Sequence, residues 1–294
     1  MKIYDVANPF GAPVYYRETV SSTMDEARLL ASRGEGHGAV IAAGFQEAGR
    51  GRGLDRRWDA GRGKSLLFTI LLRYAGFDAV PAAITLRAGL AVSLAVEDFA
   101  PELKGRVLVK WPNDIMLLER RAGADTASKA AGILAESAAG DSGCVVCIGA
   151  GVNLAQTEFP AAVRAGATSL LLARQSLPAC TGKAAAYTGE DRFRLLEKIL
   201  ARLYREIAGG RLPAWRERLE ERLYRRGERV RFFPGGAGTG RQVEGVLSGI
   251  GEAGELLVTV DGETESRLFI TGELDVYREK APPECPDDHL DLRT

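Results

Sequence analysis

Two apolar runs of strand length, GAVIAAGF at 38–45 and SLLFTILLR at 65–73, stand on either side of the stretch QEAGRGRGLDRRWDAGRGK. Runs this short, bounded by glycine or polar residues, are what buried strands look like, and they place a long loop at one end of a sheet. The loop's composition is what constrains the chain. Glycine lets backbone N–H groups come close to a ligand. Arg50, Arg52, Arg56 and Arg57 offer planar guanidinium groups that bind anions in bidentate fashion. Trp58 adds a flat apolar face on which a base can stack. Glycine and arginine together, held between two buried strands, predict a cradle for a phosphate or similar anion.

Two familiar cradles do not fit. GRGKS at 61–65 resembles the end of a P-loop, but that motif needs glycine where Trp58 stands, and a helix where SLLFTILL predicts a strand. GAGVNL at 149–154 begins like a dinucleotide fingerprint, yet its third glycine would fall at Leu154, and no βαβ unit opens there.

Elsewhere the pattern mixes both element types. SSTMDEARLLAS carries a hydroxyl cap, early acids and one apolar face, and predicts a helix. Residues 81–100 predict a long helix with Pro81 in its first turn. VLVKWPNDIMLL, KAAGILAESA and CVVCIGAGVNL read as three successive strands, with ERRAGADTAS as an enlarged hairpin loop. Phe193, Leu196, Leu200, Leu203 and Ile207 fall on one helical face. A second helix is predicted from Pro213 to Arg226, ending at Gly227, with its arginines and glutamates on a solvated face. Beyond Gly227 come only short strand-like runs with glycine turns, among them Asp261-Gly262, which suits a type I′ hairpin. The expected organisation is an α/β (α+β) domain over 1–226, a small β-barrel over 227–278, and a disordered polar tail over 279–294.

Composition removes several function classes. With 39 basic and 39 acidic side chains the net charge is zero, so a global field for nucleic acid or membrane surfaces is not expected. No cationic, apolar leader opens the chain, and no membrane span of about 18 apolar residues is evident, so a cytoplasmic location is expected. Cys144 and Cys147 form a lone CxxC in an apolar run and read as buried strand residues rather than half of a zinc site. His37 and His289 are the only histidines, which argues against a Ser-His-Asp triad or a histidine-rich metal site.

Five stretches, SST at 21–23, FQEAGRGR at 45–52, KWPND at 110–114, KAAGILAE at 129–136 and GAGVN at 149–153, stand in the order found in biotin protein ligases, which the chain resembles from Tyr16 to Tyr277. The resemblance implies a mixed-sheet, class II synthetase-like ligase domain followed by an SH3-like β-barrel. It implies an ATP-dependent, AMP-forming carbon–nitrogen ligase: biotin and MgATP give biotinyl-5'-AMP, and a lysine of a biotin carboxyl carrier protein then takes the biotin. By resemblance, Arg50, Arg52, Lys129 and Asp114 are catalytic. Ser22, Thr23, Gln46, Gly49, Lys129, Gly132, Gly149 and Gly151 bind biotin. Arg50, Gly51, Arg52, Trp58, Asn113 and Asn153 bind ATP, whose Mg2+ would lie near Asn113. Trp111 reads as core.

Three departures from the family pattern stand out. Met24 replaces the usual asparagine, Gly49 to Trp58 is one residue longer, and residues 173–190 look like an insertion at the nucleotide side or a dimer edge. Only twenty residues precede the first motif, so a DNA-binding domain is not expected, whereas a homodimer is compatible with the family. Two rivals remain open at this level: a lipoate-type ligase and a non-catalytic binding scaffold.

Overall fold

The computed structural model describes residues 1–53, 57–121, 123–140, 143–180, 187–208, 215–235 and 242–275. Arg56, part of the 173–190 stretch, Pro213 and the tail at 279–294 lie outside the described residues, as does the expected domain end at 278.

The first half of the chain builds an eight-stranded mixed sheet. Its strands are β1 (Lys2–Tyr4), β2 (Val14–Val20), β3 (Val40–Gln46), β4 (Ser65–Tyr74), β5 (Val107–Lys110), β6 (Asp114–Arg121), β7 (Ala124–Gly140) and β8 (Gly143–Asn153), in the order β1-β2-β3-β4-β8-β7-β6-β5. Only β2 and β3 run parallel, and a parallel pair needs a crossover. Helix α1 (Thr23–Ser32) supplies it, capped by Ser22, whose side chain accepts from Met24 N.

Strand alternation sorts the core into two layers. Leu66, Phe68, Ile70 and Leu72 of β4, with Val146, Ile148, Ala150 and Val152 of β8, face helices α2 (Ile84–Phe99) and α4 (Asp191–Ile207). Leu71 and Cys147 face the other way, onto Met24, Ala27 and Leu30 of α1. Being covered on both sides, β4 reads as an apolar run broken only by Thr69 rather than as an alternating one. The same alternation puts Cys144 and Cys147, three positions apart, in opposite layers, where the two thiols cannot meet. Both are buried, as the sequence suggested, and burial pushes the Cys147 thiol up to about 11. The described residues hold no group of three or more His, Cys, Asp or Glu able to bind a metal.

Several expectations need correction. VLVKWPNDIMLL is two strands, β5 and β6, paired antiparallel through a turn at Trp111–Asn113, because Pro112 cannot donate to a ladder. ERRAGADTAS is no enlarged loop: β6 and β7 pair as far as Arg121 and Ala124. Pro81 lies outside α2, which starts after Ala83, a residue with φ of 55°. Phe77–Phe99 is long and apolar enough to cross a bilayer by length and composition, with mean hydropathy 1.7, which the sequence reading passed over. In the fold α2 instead carries Leu86, Leu90, Val92 and Val96 into the core. The helix expected at 213–226 is described only as α5 (Trp215–Glu220). In the 173–190 stretch, Arg174 at the end of the short helix α3 (Leu170–Gln175) pairs with Glu102 and lies 5.0 Å from the Tyr187 ring. The Tyr187 and Phe99 rings lie tilted to each other with centroids 5.4 Å apart, so Arg174 and Tyr187 pack on the α2 side.

The C-terminal segment forms a separate five-stranded antiparallel sheet from β9 (Arg229–Pro234), β10 (Val243–Ile250), β11 (Leu256–Val260), β12 (Ser266–Phe269) and β13 (Gly272–Asp275). The order β12-β11-β10-β9-β13 leaves β12 and β13 unpaired with each other among the described residues. Closure into a barrel is therefore not seen in these pairings. At the Asp261-Gly262 turn only Gly262 takes a positive φ, 81°, and Glu263 N donates to Val260 O. That suits a type II turn, not the type I′ expected. Trp111 joins the two sheets. Buried as predicted, it donates through Nε1 to Gly254 O at 3.0 Å and lies edge-on to Phe232.

Candidate functional site

The α1 face of the sheet has a bare patch. Gly149 and Gly151 share this face of β8, Gly151 pairs with Gly132 of β7, and Gly149 pairs with Thr69 of β4. Three glycines where side chains would otherwise stand leave a cavity of about 640 Å³. Trp58 from the glycine–arginine loop lies on the patch. A Cβ added to Gly151 would sit 2.5 Å from its Nε1 and Cε2, and one on Gly132 3.0 Å from Cζ3. The indole Nε1 is buried against Gly151 without a hydrogen-bond partner among the described residues.

The loop reaches this position by folding back on itself. Trp58 N donates to Gly49 O at 3.0 Å, and Arg50 and Arg57 form an antiparallel bridge. Gly49 does not line the cavity. A Cβ there would meet Trp58 O at 2.5 Å, so a glycine is what lets the loop close on itself. Arg50, Gly51 and Arg52 do line it. Arg50 Nη2 is 2.5 Å from Asp25 Oδ1, and Arg52 Nη2 donates to Gly272 O of β13 at 2.6 Å. The C-terminal sheet thus touches the loop, and Glu273 faces the same cavity.

One end of the cavity is a neutral, polar corner. Thr69 donates to Thr23 Oγ1 at 2.9 Å, and Thr23 Oγ1 donates to Gln46 Oε1 at 2.9 Å. Thr23 N adds a second donor to the same oxygen at 2.8 Å. With its oxygen so engaged, Gln46 offers its amide N–H groups to a ligand. Ser22 lines this corner while capping α1, and Met24 forms its wall, its Cε 3.2 Å from where a Gly149 Cβ would lie.

The other end is charged. Lys129 Nζ stands 2.6 Å from Asp114 Oδ1. The angle does not make an aligned hydrogen bond, so the contact is chiefly electrostatic. A β-bulge brings the lysine here. Register runs from Ile115↔Ala131 to Met116↔Lys129, leaving Ala130 as an extra residue in β7. Without it, Lys129 and Gly132, three positions apart, would face opposite sides. With it, Lys129 Nζ lies 3.5 Å from the Cβ position of Gly132 and 5.6 Å from the Trp58 ring. Asn113 lines the cavity nearby and donates through Nδ2 to Ile133 O at 2.8 Å, which leaves its side-chain oxygen and a second N–H for a ligand.

Asn153, read as a nucleotide contact, stands behind the cavity wall. It is buried outside the cavity lining, its Nδ2 donates to Thr168 O at 3.0 Å, and its Oδ1 accepts from Ser65. Thr168 in turn donates through N to Lys129 O at 2.9 Å, so Asn153 supports the lysine's strand. The sequence reading missed Thr69, which looked like a strand interior, and Glu273, which no local signal could connect to a loop so far away in the chain.

The chain thus sets a small-molecule cavity on one face of a mixed sheet, beneath a basic glycine loop. The model of the biotin/lipoate A/B protein ligase family matches residues 16–153. The chain is 31% identical over 259 residues to the biotin–[acetyl-CoA-carboxylase] ligase of Mycobacterium tuberculosis, covering 84% of this chain and 83% of that one. It is 32% identical over 238 residues to the enzyme of that name from Paracoccus denitrificans, covering 81% and 90%. The chain belongs to the biotin–[acetyl-CoA-carboxylase] ligase family. It spans about half the length, 46%, of two further relatives, bifunctional ligase/repressors of Bacillus subtilis and Bacillus spizizenii. In fold it resembles the biotin protein ligase from Aquifex aeolicus in complex with biotin and ATP, with a TM-score of 0.66 at 24% identity, covering 90% of this chain and 98% of that one.

Proposed function

We propose that the chain is a biotin protein ligase: it joins biotin to ATP as biotinyl-5'-AMP with release of pyrophosphate, then passes the biotin to a lysine of a biotin carboxyl carrier protein. The observation that carries this reading is the polarity of the cavity. Gln46, Thr23 and Ser22 give one end neutral partners suited to a ureido ring, and Lys129 with Arg50 and Arg52 gives the other cations suited to a carboxylate meeting a phosphate. A carboxylate oxygen of biotin attacks the α-phosphorus while the pyrophosphate leaves. Two anions must approach each other, and Lys129 stabilises the charge that gathers between them. In the second step the carrier amine attacks the acyl carbon, AMP leaves, and the amine loses a proton. Asp114, beside Lys129, is placed to orient that amine and accept the proton.

Mg2+ enters with ATP. The cavity offers it single oxygen donors, Asp114 and Asn113, in keeping with a metal held mainly by phosphates and water. The C-terminal sheet, five short antiparallel strands in contact with the loop through Arg52, we read as an SH3-like module and a second domain. The cytoplasm is the proposed location. Incubation with biotin, MgATP and a carrier domain should add one biotinyl group to one lysine of the carrier, read by mass spectrometry. An unmodified carrier alongside active adenylation would confine the reading to the first step.

A further inference from the structure

Arg50 faces the cavity, yet its guanidinium already has a counter-ion outside it. Asp25, in the first turn of α1, holds Arg50 Nη2 through Oδ1 at 2.5 Å and does not line the cavity. The same oxygen also receives Arg28 Nη1 at 3.3 Å, and Arg28 is tied on its far side to Glu136 of β7. One carboxylate oxygen is thus shared by two arginines. Its side chain is 47% exposed and that of Arg50 38%, so the pair is a weak one, worth about 0.2–1 kcal/mol. A polyphosphate offers more charge and several oxygens in fork geometry, and outcompetes a single shared carboxylate oxygen.

We propose that Asp25 is the resting counter-ion of Arg50: it anchors the glycine–arginine loop on α1 while the cavity is empty and yields the guanidinium to the nucleotide's phosphates. Asp25 is then a positioning residue for the adenylation step. This rests on the adenylation reading above and adds what sets the loop before ATP arrives. Arg28 tunes the anchor. By drawing on the same oxygen, it keeps Asp25 from holding Arg50 too firmly.

The two residues therefore predict opposite effects. In Asp25→Asn the competitor for Arg50 is weakened and KM for ATP falls by about 1.5- to 5-fold, the range of one exposed pair. In Arg28→Ala, Asp25 is left to Arg50 alone and KM for ATP rises. Asp25→Glu, which keeps the charge, stays near the parent. KM for biotin does not change in any of the three. A merely structural Asp25 would lower the melting temperature and weaken ATP use in both loss variants alike.

The experiment pairs ATP kinetics with hydrogen exchange at the loop amides 49–53 in the ligand-free protein. The expected result for Asp25→Asn is a lower KM for ATP together with faster loop exchange. A KM for ATP that stays or rises, or loop exchange that does not change, overturns the proposal. If the unsubstituted protein uses no ATP, the adenylation reading fails, and loop exchange still decides whether Asp25 anchors the loop.

Discussion

Replacing Gly151 with alanine tests the glycine patch directly. The new Cβ would stand 2.5 Å from Nε1 and Cε2 of Trp58 and 3.0 Å from Cδ2. Carbon atoms in contact rest about 3.5–4 Å apart, so the ring must lift by about 1 Å. The strand itself has no reason to fail, since Gly151 lies within β8 and its φ is not among the positive ones. Trp58 rides on a loop that can move, and the fold should keep its stability to within about 1 kcal/mol, as for a change that makes no core cavity. Catalysis is less forgiving, because a misplacement of about 1 Å in groups that position reactants can cost about a hundredfold, or about 2.7 kcal/mol. The assay is biotin-dependent ATP–pyrophosphate exchange, with tryptophan fluorescence compared between Gly151→Ala and the same change in a Trp58→Phe background. The expected result is a loss of ten- to a hundredfold in exchange, an altered emission that vanishes without Trp58, and an unchanged melting curve. Parental exchange and parental emission would show that the ring does not rest on this patch.

Lys129→Ala should lower biotin-dependent exchange by about a hundred- to a thousandfold, the cost of removing one charge-stabilising group, while circular dichroism and melting stay near the parent. Asn153→Ala should behave in the opposite way, costing about 1–3 kcal/mol of stability by urea denaturation through the orphaned Thr168 carbonyl, with KM for ATP little changed. Asp98 accepts two hydrogen bonds from Arg202 at 2.7 Å, which hold its carboxyl below the usual range. A depressed acid contributes stability above its unfolded pKa and loses it as pH falls through the folded one. Asp98→Asn should therefore cost up to about 1 kcal/mol at pH 7, and the gap to the parent should close as pH falls below 4; a gap that persists at low pH would refute this.

What the sequence made legible was whatever a local period or cap could encode. The α1 cap, the apolar runs of β3 and β4 and the apolar face of α4 are each written in a few neighbouring residues, and each element forms where expected. The hairpin at Trp111–Asn113 does leave a local trace in Pro112, Asn113 and Asp114, but the short apolar runs VLV and IMLL on either side of it read as one strand. The bulge at Ala130 was hidden for a related reason. KAAGILAE alternates too weakly, with its alanines and glycine, to show a change of phase, yet that change is what turns Lys129 toward the cavity. Motif resemblance brought Lys129 and Asp114 to notice, but only the fold shows them in contact. It could not separate Gly49 and Asn153, which shape the site from outside, from Gly151 and Gln46, which border it. Thr69 and Glu273 needed register and tertiary contact respectively, and neither leaves a local trace.

Pyrophosphate exchange into ATP, measured on the purified chain with biotin and in parallel with lipoate, tests the central claim most directly. Exchange that depends on biotin, and is absent with lipoate, is the predicted result, since the Gln46–Thr23–Thr69 corner presents polar partners to a ureido ring and lipoate has none. Exchange with lipoate instead would contradict the assignment of that corner and move the chain's activity to lipoate. Exchange with neither acid would contradict adenylation altogether and leave the cavity as a binding site without chemistry.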